Sequence, residues 1–355
     1  MNIQGLRAVL TDDREAALIV SEVNRRYFTE FAASDGYLVV TRNDAVFFTD
    51  SRYIEAAGLA VKDCRTALLR RLSDEVAGYL KAQGVTRVRT ERARLTVDEL
   101  EALKKALPDC RVTACTRLEK AINDLREVKD DAEVKAIVKA QRIAEAALDH
   151  VLGNVIKPGV TEREIGLALD YYMLSHGAEA LSFETIAVTG KKTSMPHGVP
   201  GSLKVKAGDF ITMDFGAVWH GYHSDMTRTV AVGKVSREQR KVYETVLAAQ
   251  TAAREACRPG IAGREMDAAA RKVIEDAGYG AYFGHGLGHG VGVEIHELPG
   301  AGPRSETKLR AGNVVTDEPG IYLPGKFGVR IEDMLLVTEN GCRCLTKAPR
   351  ELIVL

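Results

Sequence analysis

The sequence has no long apolar run, no excess of either charge and no compact cysteine framework, and each absence removes a class of function. Without a stretch of membrane-spanning length, insertion into a bilayer is disfavoured. The opening MNIQGLRAVLTDDREAALIV also lacks a basic segment followed by an apolar core and a small-residue cleavage site, so the expected compartment is the cytoplasm. Lys and Arg together number 49 and so do Asp and Glu, which leaves no global field to draw the chain to nucleic acid or to an anionic membrane. The six cysteines (Cys64, Cys110, Cys115, Cys257, Cys342 and Cys344) form no C-x-x-C pair and are too scattered for a disulfide scaffold. Free structural thiols are expected, including Cys342 and Cys344 on one face of a short strand.

What is present reads as an ordinary globular protein, 45% apolar and 28% charged. Its 355 residues exceed what one core usually serves, so two domains are expected. In the first third, β-rich runs such as GYLVVT (36–41) and AVFFTD (45–50) alternate with helical stretches, one opened by the capping box Thr96-x-x-Glu99. This predicts a small mixed α/β domain. The charged segment RLEKAINDLREVKDDAE (117–133) leads into a long helix and places the boundary near residue 122, giving domains of 1–122 and 123–355.

Beyond the boundary, helices are predicted at about 131–153 and 161–176, the second opened by Thr161-x-x-Glu164 and stopped by His176-Gly177. Strands follow. A second helix pair starts at Ser236-x-x-Gln239 and near Gly263, is divided by Arg258-Pro259-Gly260, stops at Gly278, and is again followed by strands. The repetition extends to single residues. GDFITMDFGAVWHGY (208–222) and GNVVTDEPGIYLPGK (312–326) align without a gap, matching Gly208 to Gly312, Asp214 to Glu318 and Gly216 to Gly320. Each copy carries a second acid across a predicted hairpin, Asp225 in the first and Glu332 in the second.

Acids in segments as apolar as FITMDFG and VRIEDMLLV are not solvated surface groups. A single one is best read as a salt bridge or a cap, but four converging in one core repel strongly unless cations neutralise them. Two divalent ions supply that balance. The remaining ligand is sought in GHGLGHGVGVEIHE (284–297), whose glycines at 284, 286, 288, 290 and 292 exclude a stable helix and leave His285 and His289 on one face of an extended segment. A flat strand would hold these two about 13 Å apart, so serving one site requires curvature that glycine permits. His296 follows in the same segment, and His197 lies in the Pro/Gly loop TSMPHGVP, placed to donate to substrate or to an oxyanion. An oxygen-rich set with one imidazole suits Mn2+, with Co2+, Zn2+ or iron as alternatives.

The stretches SFETIAVTG, PHGVP, DFGAVWHGYHSDMTRTVAVG, GHGLGHGVGVEIHELP and TDEPGIYLPGKFGVRIED together resemble the aminopeptidase P and prolidase branch of the creatinase/methionine-aminopeptidase superfamily. NRRYFTEFAASDGYLVV and FFTDSRY resemble that branch's N-terminal domain, less specifically. The resemblance implies an α+β architecture, in which a pseudo-twofold pita-bread catalytic domain follows a smaller creatinase-like one. It implies hydrolysis of the bond between an N-terminal residue and proline, on peptide substrates with proline in second place, by an enzyme commonly dimeric. It places five ligands for two divalent ions on Asp214, Asp225, His289, Glu318 and Glu332, with Asp225 and Glu332 bridging. It places proton-handling and substrate-contacting roles on His197, His285, His296 and Glu318, and an arginine beside the second bridging acid on Arg330. One neighbour departs from the usual pattern: Asp317 precedes Glu318 where an aliphatic residue is common, and strand alternation would turn it away from the metals. A methionine aminopeptidase of the same fold is disfavoured by the additional N-terminal domain and by His285. A non-catalytic binding module is disfavoured by the complete ligand set. Dipeptide-specific members carry an arginine soon after the His-Glu pair; here it is delayed to Arg304, which favours aminopeptidase P.

Overall fold

The structure, a computed structural model, describes residues 3–355. Two compact units divide the chain between Arg126 and Glu127. The boundary expected near residue 122 falls inside the helix Thr116–Glu127, because the charged stretch is one amphipathic element whose Leu118 and Ile122 are buried.

In the first unit the strand Glu15–Ile19 pairs antiparallel with Tyr37–Val40 on one side and parallel with Arg87–Thr90 on the other. The hairpin partner Ala45–Thr49 and the parallel strands Arg65–Leu68 and Arg111–Ala114 complete a six-stranded mixed sheet. Its strands are buried through Leu18, Val39, Val46 and Val88, which pack with Val76 and Leu80 of the helix Glu75–Ala82 and Leu103 of the helix Val97–Ala106. The predicted box at Thr96 forms, with the Thr96 hydroxyl accepting from Glu99 N–H and the Glu99 carboxylate accepting in return.

The second unit is built twice over the same plan. Its first half sets the helices Asp131–Asn154 and Glu162–Ser175 against the three-stranded sheet of Ile186–Thr189, Phe210–Phe215 and Met226–Ala231. Ile165 and Leu169 meet Ile211, Met213 and Val230 in that core. Its second half sets Arg237–Ala256 and Gly263–Asp276 against strands that include Val314–Asp317 and Asp333–Thr338, with Val246 and Met266 meeting Val315 and Leu335. The boxes at Thr161 and Ser236 form as predicted, and Gly278 at φ +85° ends the second helix pair. The fold is α+β, and both sheets present the ends of their hairpins to one cavity. No helix among the described residues is long and apolar enough to cross a membrane. All six cysteines are free; Cys342 donates to Arg254 O and Cys344 to Thr346 O, consistent with structural thiols.

Candidate metal centre

A cavity of about 550 Å3 in the second unit is lined by all of the predicted ligand and catalytic residues: Asp214, Asp225, Glu318, Glu332, His197, His285, His289, His296 and Arg330. The hairpins bring the acids there by simple pleating. Asp214 stands opposite Thr227 in register, and Thr227 shares a strand face with Asp225 two residues before it. In the second copy Asp317 stands opposite Asp333, so their neighbours Glu318 and Glu332 turn to the other face and meet in the cavity. Asp317 does not line it, in keeping with the alternation expected for it.

The glycine-rich segment is a strand only over Gly288–Gly290, wedged between two other strands. A Cβ on Gly288 would come within 2.2 Å of Thr316 O, and one on Gly290 within 2.4 Å of Leu298 O. Glycine is therefore required for this approach, which carries His289 into the site. Asp225, His289 and Glu332 offer ligand atoms that all lie within 4.8 Å of one another, and form a candidate metal site.

Local hydrogen bonds fix the candidate ligand atoms. His289 Nδ1 lies 3.1 Å from Gly290 O and its backbone N–H donates to Thr316 Oγ1 at 3.0 Å. That hydroxyl donates in turn to Glu318 Oε1 at 3.2 Å. In the other hairpin Thr227 Oγ1 donates to Glu332 Oε2 at 2.7 Å and accepts from Arg330 Nε at 3.0 Å. Thr227 and Thr316 escaped the sequence reading, although each sits two residues from a candidate ligand on the same strand face. Tyr322 also escaped it, and nothing in its sequence context marks it. Its hydroxyl accepts from Arg330 at 3.0 Å and lies 2.8 Å from His285 Nε2, while Arg330 pairs with Asp214 Oδ2 at 2.6 Å. With His285 Nδ1 2.8 Å from Gly286 O, the network assigns Nδ1 as donor and Nε2 as acceptor. Both His285 nitrogens are thus taken. His197 and His296 are exposed at the mouth, and the His296 ring lies 4.3 Å from that of His289.

Charge decides what the site can hold. Burial first, then Asp214 and Glu318, drive the Asp225 carboxyl far above its ordinary range. Burial first, then Asp225 and Glu318, do the same to Glu332. Glu318 is pushed up to about 8 by burial, opposed by Arg330. Burial lowers His289 to about 4, so the ring is neutral at pH 7 and its separations of 3.5 Å from Asp225 and 3.4 Å from Glu318 are not ion pairs. With Nδ1 donating, the Nε2 lone pair points at carboxyl oxygens, an arrangement that needs either a proton or a metal cation between them. Asp214 Oδ1 and Asp225 Oδ1 are buried with no hydrogen-bond partner. Lone pairs converging from one imidazole and several carboxylates, with two oxygens unsatisfied, fit divalent cations.

Comparison with known proteins agrees with this geometry. Residues 135–339 match the model of metallopeptidase family M24, and residues 3–128 match the creatinase/prolidase N-terminal domain. The chain is 37% identical to an Xaa-Pro dipeptidase of Pyrococcus horikoshii, over 96% of this chain and 94% of that one. It superposes on an Xaa-Pro dipeptidase from Bacillus anthracis with a TM-score of 0.94 at 40% identity, covering 99% of each chain. An X-Pro aminopeptidase from Thermotoga maritima gives a TM-score of 0.93 at 33% identity, covering 99% of this chain and 100% of that one. This chain, a creatinase-like α/β domain followed by a pita-bread catalytic domain, belongs to metallopeptidase family M24.

Proposed function

We propose that the protein is an exopeptidase that removes an N-terminal residue from peptides with proline in second place, using two divalent ions held by Asp214, Asp225, His289, Glu318 and Glu332. The observation that carries the hydrolytic reading is the neutral His289 Nε2 facing carboxylate oxygens that lack sufficient cationic partners. The preference for proline rests on whole-length similarity to relatives named for Xaa-Pro cleavage. Asp225 and Glu332, the candidate bridging ligands, come from the two hairpins. Mn2+ is the first choice for a set rich in oxygen with one imidazole. When bound, such ions supply Lewis-acid activation of water and of the scissile carbonyl.

The chain's own groups do the rest. Glu318 takes a proton from the attacking water and delivers it to the leaving imino nitrogen. His296, exposed in the cavity beside His289, donates to the oxygen of the scissile carbonyl as negative charge builds there. His197, exposed in the lining of the same cavity, holds the substrate at the mouth. His285 acts through Tyr322, keeping Arg330 aimed at Asp214. Arg304 is exposed and does not line the cavity, so it offers no clamp for a dipeptide carboxylate, which favours aminopeptidase P over strict dipeptidase activity.

The Mn2+-loaded protein is expected to hydrolyse Ala-Pro-containing peptides and to lose activity with chelator. His296→Ala should lower kcat by about 10² to 10³, the loss typical of one such donor, with both ions retained. Full activity after metal removal overturns the reading; near-normal turnover in His296→Ala removes that residue from the chemistry.

A further inference from the structure

The cavity lining contains five carboxylates, and four are the candidate ligands. The fifth is Glu184. It follows Phe183 in the segment between the strands Ala180–Leu181 and Ile186–Thr189, and it is exposed at the mouth of the cavity. Its neighbours in sequence are anchored: Ser182 Oγ lies 2.8 Å from His223 Nδ1, and Thr185 Oγ1 donates to Asp170 at 2.5 Å. Glu184 itself has no ion pair or hydrogen bond among the described residues. The single guanidinium or ammonium group in the lining is Arg330, and it is committed to Asp214, Thr227 and Tyr322. The site therefore offers an approaching peptide one uncompensated negative charge outside the ligand set, held on a segment fixed at both ends.

In an exopeptidase the N-terminal residue occupies the closed end, so the chain beyond the scissile bond must leave through the mouth. We propose that Glu184 is a specificity-determining residue that favours substrates carrying positive charge beyond the proline and disfavours those carrying negative charge there, whether an acidic side chain or the free carboxylate of a dipeptide. This rests on the exopeptidase reading above and names the substrate class within it: longer and basic peptides. Because the pair formed is solvent-exposed, its effect is modest, about two- to fivefold in kcat/KM, and it is screened by salt. A lone surface charge of this kind acts on selection among substrates more than on turnover.

The test uses the full-length, Mn2+-loaded enzyme with Ala-Pro, Ala-Pro amide, Ala-Pro-Lys amide and Ala-Pro-Glu amide, and reads ratios of kcat/KM within each variant so that effects common to all substrates cancel. Wild type should prefer the lysine peptide to the glutamate peptide, and Ala-Pro amide to Ala-Pro. Glu184→Gln should reduce both ratios about two- to fivefold, Glu184→Lys should invert the first, and 0.5 M salt should shrink the wild-type preference. A lysine-to-glutamate ratio unchanged in both variants, in an enzyme that hydrolyses Ala-Pro amide, overturns this inference alone. Failure of the metal-loaded wild type to hydrolyse any of the four overturns the exopeptidase reading and this inference with it.

Discussion

The strand pair of Val314–Asp317 and Asp333–Thr338 carries acids on both faces, and the two groups settle their charge differently. Asp317 and Asp333 lie on one face; Glu318 and Glu332 lie on the opposite one, where they join Asp214 and Asp225 of the other hairpin. On one face Asp333 accepts from Arg228 and from Gln250, each at 2.7 Å, with Arg350 at 3.8 Å. Arg228 is itself saturated, donating to Pro349 O, Thr227 O, Glu332 O and Ala348 O, and is 1% exposed. Asp333 is thus satisfied by groups of this chain. On the other face Asp214, Asp225, Glu318 and Glu332 share one arginine, and its short contact is with Asp214. Unsatisfied oxygens alone do not separate the two, because Asp317 on the structural face has both carboxyl oxygens buried without a partner. Burial and the neighbouring Asp333 raise its pKa well above the ordinary range, which favours its neutral form, as burial and like charge also do for Asp225 and Glu332 on the cavity face. The difference lies in convergence: the cavity face adds an imidazole lone pair within reach of several carboxylates, and the structural face does not.

The sharpest way to break this comparison is to remove an acid shared by both proposed ions. Asp225→Ala or Glu332→Ala should abolish activity and bound metal together, measured by elemental analysis of the folded protein. Retention of two ions in either variant would remove that residue from the ligand set. On the opposite face, Arg228→Ala should leave the buried Asp333 with only Gln250 and the more distant Arg350 and destabilise the protein by about 3–5 kcal/mol, read as a loss in denaturant midpoint that added metal does not restore selectively. The smallest effect belongs to Asp317→Asn. An amide is neutral in the unfolded chain too and removes the cost of protonating a buried acid on folding, so stability at neutral pH should rise by about 1 kcal/mol with metal content unchanged. A fall in bound metal would show that the two faces are not independent.

How far the sequence foretold this depends on the reach of each signal. Capping boxes span four residues, and those at Thr96, Thr161 and Ser236 all form. The duplicated hairpins are short-range too, and pleating alone carries Asp214, Asp225, Glu318 and Glu332 to one side. What the sequence did not show was what reaches across it. The order of the six strands in the first unit depends on pairings such as Leu18 with Thr90, which no local pattern encodes. The same holds for the contact of Tyr322 with His285, 37 residues apart in sequence. Charge in the segment 117–133 suggested a domain boundary near residue 122, whereas the amphipathic period within it carries the helix Thr116–Glu127 across that position.

A similarly distant contact bears on how the catalytic unit can be excised. Lys129 Nζ meets Glu297 Oε1 at 2.6 Å, with the two side chains 1% and 6% exposed, although 168 residues separate them. Glu297 directly follows His296, and its carboxylate fills the space a side chain on Gly292 would need, coming within 2.2 Å of a Cβ placed there. A lysine at the very start of the unit therefore braces the turn that carries the proposed oxyanion donor from beneath. A shortened gene whose product begins at the long helix Asp131–Asn154 would discard that brace and take the lysine partner from a buried carboxylate next to His296, so any excision should start upstream of Lys129.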